Sequence, residues 1–399
     1  MQLSLFSYEE IRTTLQSIQK PCAFLHVESL EKNIESILQM SGDKRIRIAS
    51  KSVRSVSMLK KIMEYSDRFK GVMCFTAEEA IYLYEQGLDD LLIAYPTWDE
   101  TLLRQVCRLV KKGATITVMI DSSEHIDRLT SIAKEEQGTF LVAIDIDLST
   151  QFPGLYFGVY RSPLRSAESV VSLIKRINDS PYIKLDGIMG YEAQIAGVVD
   201  DAPKQSIKNS IVRFLKRRSL KEIANKRTAI MKALQKEGVS LRFINGGGTG
   251  SLTSTKDEPS VTEVTAGSGF YNSHLFDKYT NLQLVPALFF AIEITRIPQP
   301  NVYTCAGGGY VASGSAGVDK LPEIYLPEDA TLTNNEAVGE VQTPVIYDGS
   351  VDLTFGDPII LRHSKAGEIC ERFQHVYIIK SNEVIGKETT YRGDGKCFL

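Results

Sequence analysis

The stretch Arg45-Ile46-Arg47-Ile48-Ala49-Ser50-Lys51 sets how the rest of the chain is read. It is short, rich in isoleucine, and ends on a lysine followed by the turn Ser52-Val53-Arg54. Comparable runs follow at 71–75, 90–95, 115–121, 140–148, 182–190, 241–246 and 261–266. Read together they are near-continuously apolar, as strands buried on both faces of a parallel sheet must be. The segments between them carry helical punctuation. Thr76-Ala77-Glu78-Glu79 has the form of a capping box, and Gly87 and Gly113 are placed to end the helices before them. Eight βα units in succession predict a (β/α)8 barrel rather than a doubly wound sheet. The run Cys22-Ala23-Phe24-Leu25-His26-Val27 would make a ninth strand, and because eight are already counted from Arg45 it is placed outside the barrel.

Past about residue 275 the texture changes. Helical periodicity fades, and β-rich runs at 291–295, 301–304, 358–361 and 375–379 alternate with Gly, Pro and Asp, which predicts a mainly antiparallel β domain. The stretch Ala306–Ser315 reads as a flexible polar loop abutting the boundary. A chain of 399 residues accommodates two such domains. A net charge of −3 with both signs mixed along the chain gives no basis for nucleic-acid or acidic-membrane binding. The basic cluster Lys216-Arg217-Arg218 reads as the solvated face of a long helix. Six scattered cysteines without paired or metal-knuckle spacing suit reduced thiols. The N-terminal run Met1–Phe6 turns polar too soon for a secretory leader, and no apolar run is long enough to span a bilayer, so a cytoplasmic protein is expected.

Two features carry chemistry. Lys51, at the carboxyl end of a barrel strand, points its amine into the mouth where active sites are built. The glycine-rich loop Asn245-Gly246-Gly247-Gly248-Thr249-Gly250-Ser251 follows the seventh strand, and Ala266-Gly267-Ser268-Gly269-Phe270-Tyr271 follows the eighth. Consecutive glycines let backbone N–H groups converge on an anion, and hydroxyls add donors. These two strand ends are where barrels bind phosphate. A Schiff-base lysine facing a phosphate cradle describes a pyridoxal 5'-phosphate site. Between them, at the end of the sixth strand, Tyr191 is placed to stack on or hydrogen-bond the ring, and Gln194 to face a substrate. The competing reading is a barrel enzyme that holds a phosphorylated metabolite in the same cradle.

In the order and spacing of these blocks the chain resembles the fold-type III pyridoxal phosphate enzymes of the alanine racemase-like superfamily, and within it the D-threonine aldolase and D-serine dehydratase branch. The likeness runs through Pro21–Ile37, Arg47–Arg54, Val72–Pro96, Gly187–Gln194, Gly246–Ser251, Glu263–Tyr271 and Gly356–Glu371. It implies a cofactor barrel over 28–272, with 1–27 and 273–399 forming the β-rich second domain. It implies that Lys51 carries the aldimine, that Gly248, Thr249, Gly250, Ser268 and Gly269 hold the phosphate, and that Tyr191 and Tyr271 line the cofactor. The implied activity is that of a lyase, an aldolase or a dehydratase, acting on a D-β-hydroxy amino acid such as D-threonine or D-serine. An amino-acid racemase is the alternative, and a non-catalytic cofactor-binding protein is disfavoured by the full C-terminal domain. A homodimer with its active site near the interface is implied as well.

Two departures from the branch bear on mechanism. Arg54 stands where a second lysine is usual, which places it toward the substrate. The metal pair, a histidine followed two residues on by Cys or Asp, is here His363-Ser364-Lys365. A lysine ammonium repels a metal ion, so His363 is a weak candidate for a divalent metal. The other reading has His363 and Lys365 as catalytic groups touching the substrate, with Lys365 a cationic clamp or base. His125 and His375 are expected to be structural.

Overall fold

The computed structural model describes residues 5–315 and 317–399. The first four residues of the N-terminal run therefore lie outside the described residues. Among the described residues a closed barrel is formed by eight parallel strands, each pairing with the next and the eighth with the first. They are Arg45–Ala49, Phe69–Cys74, Leu91–Ile93, Ile116–Ile120, Phe140–Asp145, Ile183–Gly190, Phe243–Gly246 and Glu263–Ala266. All eight expected runs are present, most of them trimmed at one or both ends.

The first strand departs from a uniformly apolar pattern for a physical reason. Arg47 is fully buried, with Nε donating to Glu263 Oε1 at 2.7 Å and Nη2 to Asp90 Oδ1 at 3.0 Å. Its guanidinium also lies 5.1 Å from the Phe243 ring. Side chains alternate across a strand, so Arg47 joins the third and eighth strands while Ile46 and Ile48 take the opposite face. Leu92, Met119, Ala143, Met189 and Phe243 form a separate buried apolar cluster on the barrel strands.

The helical punctuation is largely as expected. Thr76 Oγ1 accepts from Glu79 N at 3.1 Å, and Gly87 and Gly113 take positive φ at the ends of their helices. The capping box is incomplete, however. Buried Glu79 accepts from Phe75 N and from the Tyr391 hydroxyl instead of closing back on Thr76. The long helix is Ser206–Lys236. Arg217 and Arg218 are exposed on it, but Lys216 is buried, which corrects the reading of that cluster as wholly solvated.

The run near residue 22 lies outside the barrel. Cys22–His26 pairs antiparallel with Leu288–Gln299 and parallel with His375–Lys380, in the centre of a second sheet. The remaining pairings of that sheet are antiparallel. Pro358–Arg362 pairs with Leu288–Gln299 and so carries His363 at its end. The loop after Ala306 has anchors: Tyr310 packs on Phe290 and Phe373, and Glu368 accepts from Ser313 N at 2.8 Å.

Candidate active site

The first barrel strand ends at Ala49 and passes into a single 3-10 turn, Ser50–Ser52, which lifts the Lys51 side chain clear of the sheet and leaves it exposed. Its amine donates to the Tyr95 hydroxyl at 3.3 Å. Around it a cavity in the barrel mouth is lined by Ser52, Tyr95, Arg161, Tyr191, Gly248, Thr249 and Ser268, with Met73, Met189 and Phe276 as apolar walls.

Three loops meet at one end of this cavity. Ser52 Oγ lies 3.1 Å from Ser268 Oγ, and Thr249 Oγ1 accepts from Gly269 N at 3.1 Å. The loops after the first, seventh and eighth strands are thus tied together by hydroxyls. The glycines here are required by space. A Cβ on Gly248 would come within 2.9 Å of the Tyr191 ring, and one on Gly267 within 2.8 Å of Ala49 Cβ. A small anion fits where side chains cannot.

The seventh-strand loop is held from beneath by a buried carboxylate. Glu192 accepts from Gly247 N at 3.2 Å and Ser251 Oγ at 2.8 Å, and also from Thr255 Oγ1 and Arg227. Arg227 reaches down from the long helix and donates to Gly190 O at 2.7 Å. Burial alone would raise the Glu192 carboxyl; the Arg227 guanidinium and the three other donors overcome it and hold it below its usual range. A carboxylate so completely satisfied is a fixed strut.

The opposite wall is cationic and aromatic. The Arg161 guanidinium lies 5.5 Å from the Tyr95 ring and 5.4 Å from the Tyr191 ring. It makes no hydrogen bond or ion pair among the described residues. Burial would raise the Tyr95 phenol, but the charges of Lys51 and Arg161 outweigh it and lower its pKa. Tyr191 goes the other way, pushed up to about 12 mainly by desolvation. Asp145, buried at the end of the fifth strand and near Arg161, is raised to about 7, chiefly by burial and further by Asp121 and Asp147.

Of the residues singled out in the sequence, Lys51, Tyr191, Gly248, Thr249 and Ser268 line this one cavity. Gly269 backs it through its N–H, and Gly250 faces a neighbouring cavity. Tyr271 is buried, donating to Val53 O at 3.1 Å. Gln194 does not face the cavity; its amide donates to Leu148 O at 2.7 Å. Arg54 is likewise turned inward, with Nε on Lys51 O at 2.9 Å and Nη1 on Glu371 at 2.5 Å. It braces the lysine turn from below, in a left-handed conformation with φ 49°.

His363 and Lys365 lie off the cavity lining. His363 is buried with neither ring nitrogen hydrogen-bonded, and desolvation, then Arg362 and His274, lower its pKa to about 3. The Leu288 backbone opposes that shift. Lys365 Nζ donates to Ser313 Oγ at 3.0 Å. Among the described residues no three His, Cys, Asp or Glu side chains are arranged to hold a metal ion. His125 is held by Asp121 and Ser122, and His375 sits in a strand.

Sequence reasoning missed Tyr95, Arg161, Glu192 and Ser52. Tyr95 and Ser52 sit at strand ends already marked, where position alone was a signal. Arg161 follows a small hairpin, Thr150–Phe152 with Leu155–Phe157, inserted after the fifth strand, and nothing in its neighbourhood pointed to the mouth.

The description "Alanine racemase, N-terminal domain" belongs to the family model that matches residues 25–274. The 3-hydroxy-D-aspartate aldolase of Paracoccus denitrificans (strain Pd 1222) is 25% identical over 322 residues, covering 78% of this chain and 77% of its own. Among solved structures, D-threonine aldolase from Filomicrobium marinum superposes with a TM-score of 0.79 at 15% identity, over 96% of each chain. D-threo-3-hydroxyaspartate dehydratase from Delftia sp. HT23 gives 0.72 at 15%, over 94% of this chain and 98% of that one. At such identities the two structures speak to the fold.

Proposed function

The chain belongs to the alanine racemase N-terminal domain family, and from that premise we propose that it is a pyridoxal phosphate-dependent lyase acting on a D-β-hydroxy amino acid. The observation that carries the reading is the convergence, in one barrel-mouth cavity, of the Lys51 amine with the Ser52–Ser268 hydroxyl pair and the glycine loop. The 3-hydroxy-D-aspartate aldolase relative supports the substrate class. We take 28–272 as the cofactor barrel and 1–27 with 273–399 as the second domain, a division supported by sheet membership. Six free cysteines support a reducing, cytoplasmic setting. The homodimer rests on the resemblance and is checked by sedimentation.

When bound, the cofactor supplies an electron sink for the bonds at the substrate Cα. The residues of this chain supply everything else. Lys51 would hold the cofactor covalently through its Nζ. The hydroxyls of Ser52, Thr249 and Ser268, with the glycine backbone between them, would take the phosphate, and Glu192 keeps that loop in shape. Tyr191 lines the same cavity. Lys51 and Tyr95, in hydrogen-bond contact, form the pair between which a proton moves at Nζ and Oη. Arg161 is the remaining cation of the lining, placed for anionic oxygens of the bound ligands. The His363–Glu368 segment abuts the lysine turn, since a Cβ on Gly367 would collide with Lys51 O. No metal step is assigned.

The test is spectroscopic first. Purified protein incubated with pyridoxal phosphate should develop a near-visible band that borohydride reduction traps and that Lys51→Ala abolishes. A chain that takes up no cofactor sinks the reading. D-threo-3-hydroxyaspartate, D-threonine and D-serine are then assayed for aldehyde and ammonia, with and without EDTA. L- and D-alanine are followed for chirality, and racemisation without lysis would favour the isomerase alternative.

A further inference from the structure

Behind the seventh-strand loop lies a second cavity, of about 270 Å3. One wall is a face of the long helix, where Arg213, Lys216, Arg217 and Leu220 recur at the three- and four-residue spacing that aligns side chains. The other wall is the outer side of the glycine loop, Gly250, Thr253 and Ser254, with Tyr279 and Asn281 at its end. The lining contains one carboxylate among the described residues, Asp200, and its oxygens are taken up within the protein. They accept from Lys216 Nζ at 2.9 Å, from Thr280 N at 2.9 Å and from Thr280 Oγ1 at 3.1 Å.

Lys216 is paired with Asp200 and Arg213 with Asp201, so Arg217 is the cation of the lining that has no ion pair among the described residues. Arg213 places Nη1 on the Asp200 carbonyl oxygen at 2.9 Å and Nη2 on Ser210 Oγ at 3.4 Å, and its nearest carboxylate, Asp201, is 3.6 Å away. Arg217 is exposed and makes no hydrogen bond or ion pair among the described residues. Thr253 and Asn281 add a hydroxyl and an amide. The result is a concave surface rich in donors and short of free acceptors, lined by the side chain best shaped for bidentate oxyanion contact.

We propose that this cavity is a second oxyanion site, binding a phosphate group either as inorganic phosphate or at the end of a small phosphorylated metabolite. It stands back to back with the lysine cavity and is separate from it. Thr249 faces one and Gly250 the other. Tyr279 forms the partition, its hydroxyl donating to Ala196 O at 3.0 Å and its ring lying 4.7 Å from Lys216 Nζ. The site rests on its own geometry and does not depend on the reaction proposed above.

Calorimetric titration with inorganic phosphate at low ionic strength, with and without saturating pyridoxal phosphate, tests it. The wild-type chain should bind one phosphate that the cofactor does not displace. The double variant Arg213→Gln/Arg217→Gln should bind that phosphate at least tenfold more weakly, with its cofactor absorbance unchanged. Arg217→Glu alone should abolish it, which keeps the test open if the double variant folds poorly. Glycerol phosphate run in parallel distinguishes the sources, because tighter binding of the ester marks a metabolite and tighter binding of the free ion marks phosphate itself. Complete displacement by the cofactor, or equal binding by wild type and both arginine variants, would overturn the proposal. A chain that takes up no cofactor leaves the wild-type-to-variant comparison decisive.

Discussion

On the side of the barrel mouth built by the sixth, seventh and eighth strands, the Glu192 carboxylate collects four donors and the hydroxyls of Ser52, Thr249 and Ser268 meet across three loops. On the side supplied by the second sheet, the His363 imidazole is as deeply buried, yet neither of its nitrogens has a partner. On the first side the cost of burying the Glu192 carboxylate is offset by its four donors. The second holds a buried imidazole without that compensation, which costs stability. The first side is a fixed cradle, and the second holds a buried imidazole that lies off the cavity lining.

That contrast can be broken experimentally. The largest effect is expected from Glu192→Ala, which strands the Arg227 guanidinium with Glu258 as its only remaining carboxylate partner. Breaking a buried pair costs about 3–5 kcal/mol, read from denaturant midpoints, and a loss below about 1 kcal/mol would show that the network is not the strut described. Next is Gly367→Ala. Its φ of 85° and the Lys51 carbonyl both oppose a side chain, and strain with overpacking should cost about 2 kcal/mol or more. Gly248→Ala should leave the fold intact while weakening cofactor binding about tenfold, or about 1.4 kcal/mol, in an absorbance titration, because the added methyl meets the Tyr191 ring.

A smaller effect concerns pH. Burial raises Glu79 to about 7, against hydrogen bonds from Ser50, Phe75 N and Tyr391 and the charge of Arg54, which lower it. A carboxyl whose folded pKa is raised stabilises the acid form of the protein. Its contribution is full below the unfolded value and declines as pH rises toward the folded one. Between pH 6 and 8 stability should fall by about 1 kcal/mol from this group, and Glu79→Gln should flatten the slope; a steeper slope in the variant would contradict the assignment. Asp145 adds in the same direction and remains in that variant. The smallest change is expected for His363→Leu. Removing an unpaired buried imidazole should leave stability within about 1 kcal/mol of wild type or raise it, while turnover falls. A variant that loses both equally would show that His363 is an ordinary structural residue.

The barrel was legible because strand burial imposes a repeating apolar signature, and eight repeats from Arg45 to Ala266 outweigh any single ambiguous run. Lys51 and the two glycine loops were legible for a related reason, since position at a strand end confers direction toward the mouth. Gln194 and Arg54 also stood close to strand ends, but their side chains turn to Leu148 O and Glu371. A side chain's partner depends on what other elements bring beside it, and local sequence does not record that.

The amino-acid sequence by itself therefore determined the alternation of elements, the lysine, the glycine cradle and the family to which they point, because each is a local pattern with a local physical cause. Only the tertiary structure decided that Arg161 and Tyr95 share the lysine's cavity, that Glu192 and Arg227 underpin the cradle, and that His363 is buried off the cavity lining. Those are contacts between segments tens to hundreds of residues apart, created when the barrel closes and the second sheet packs against it.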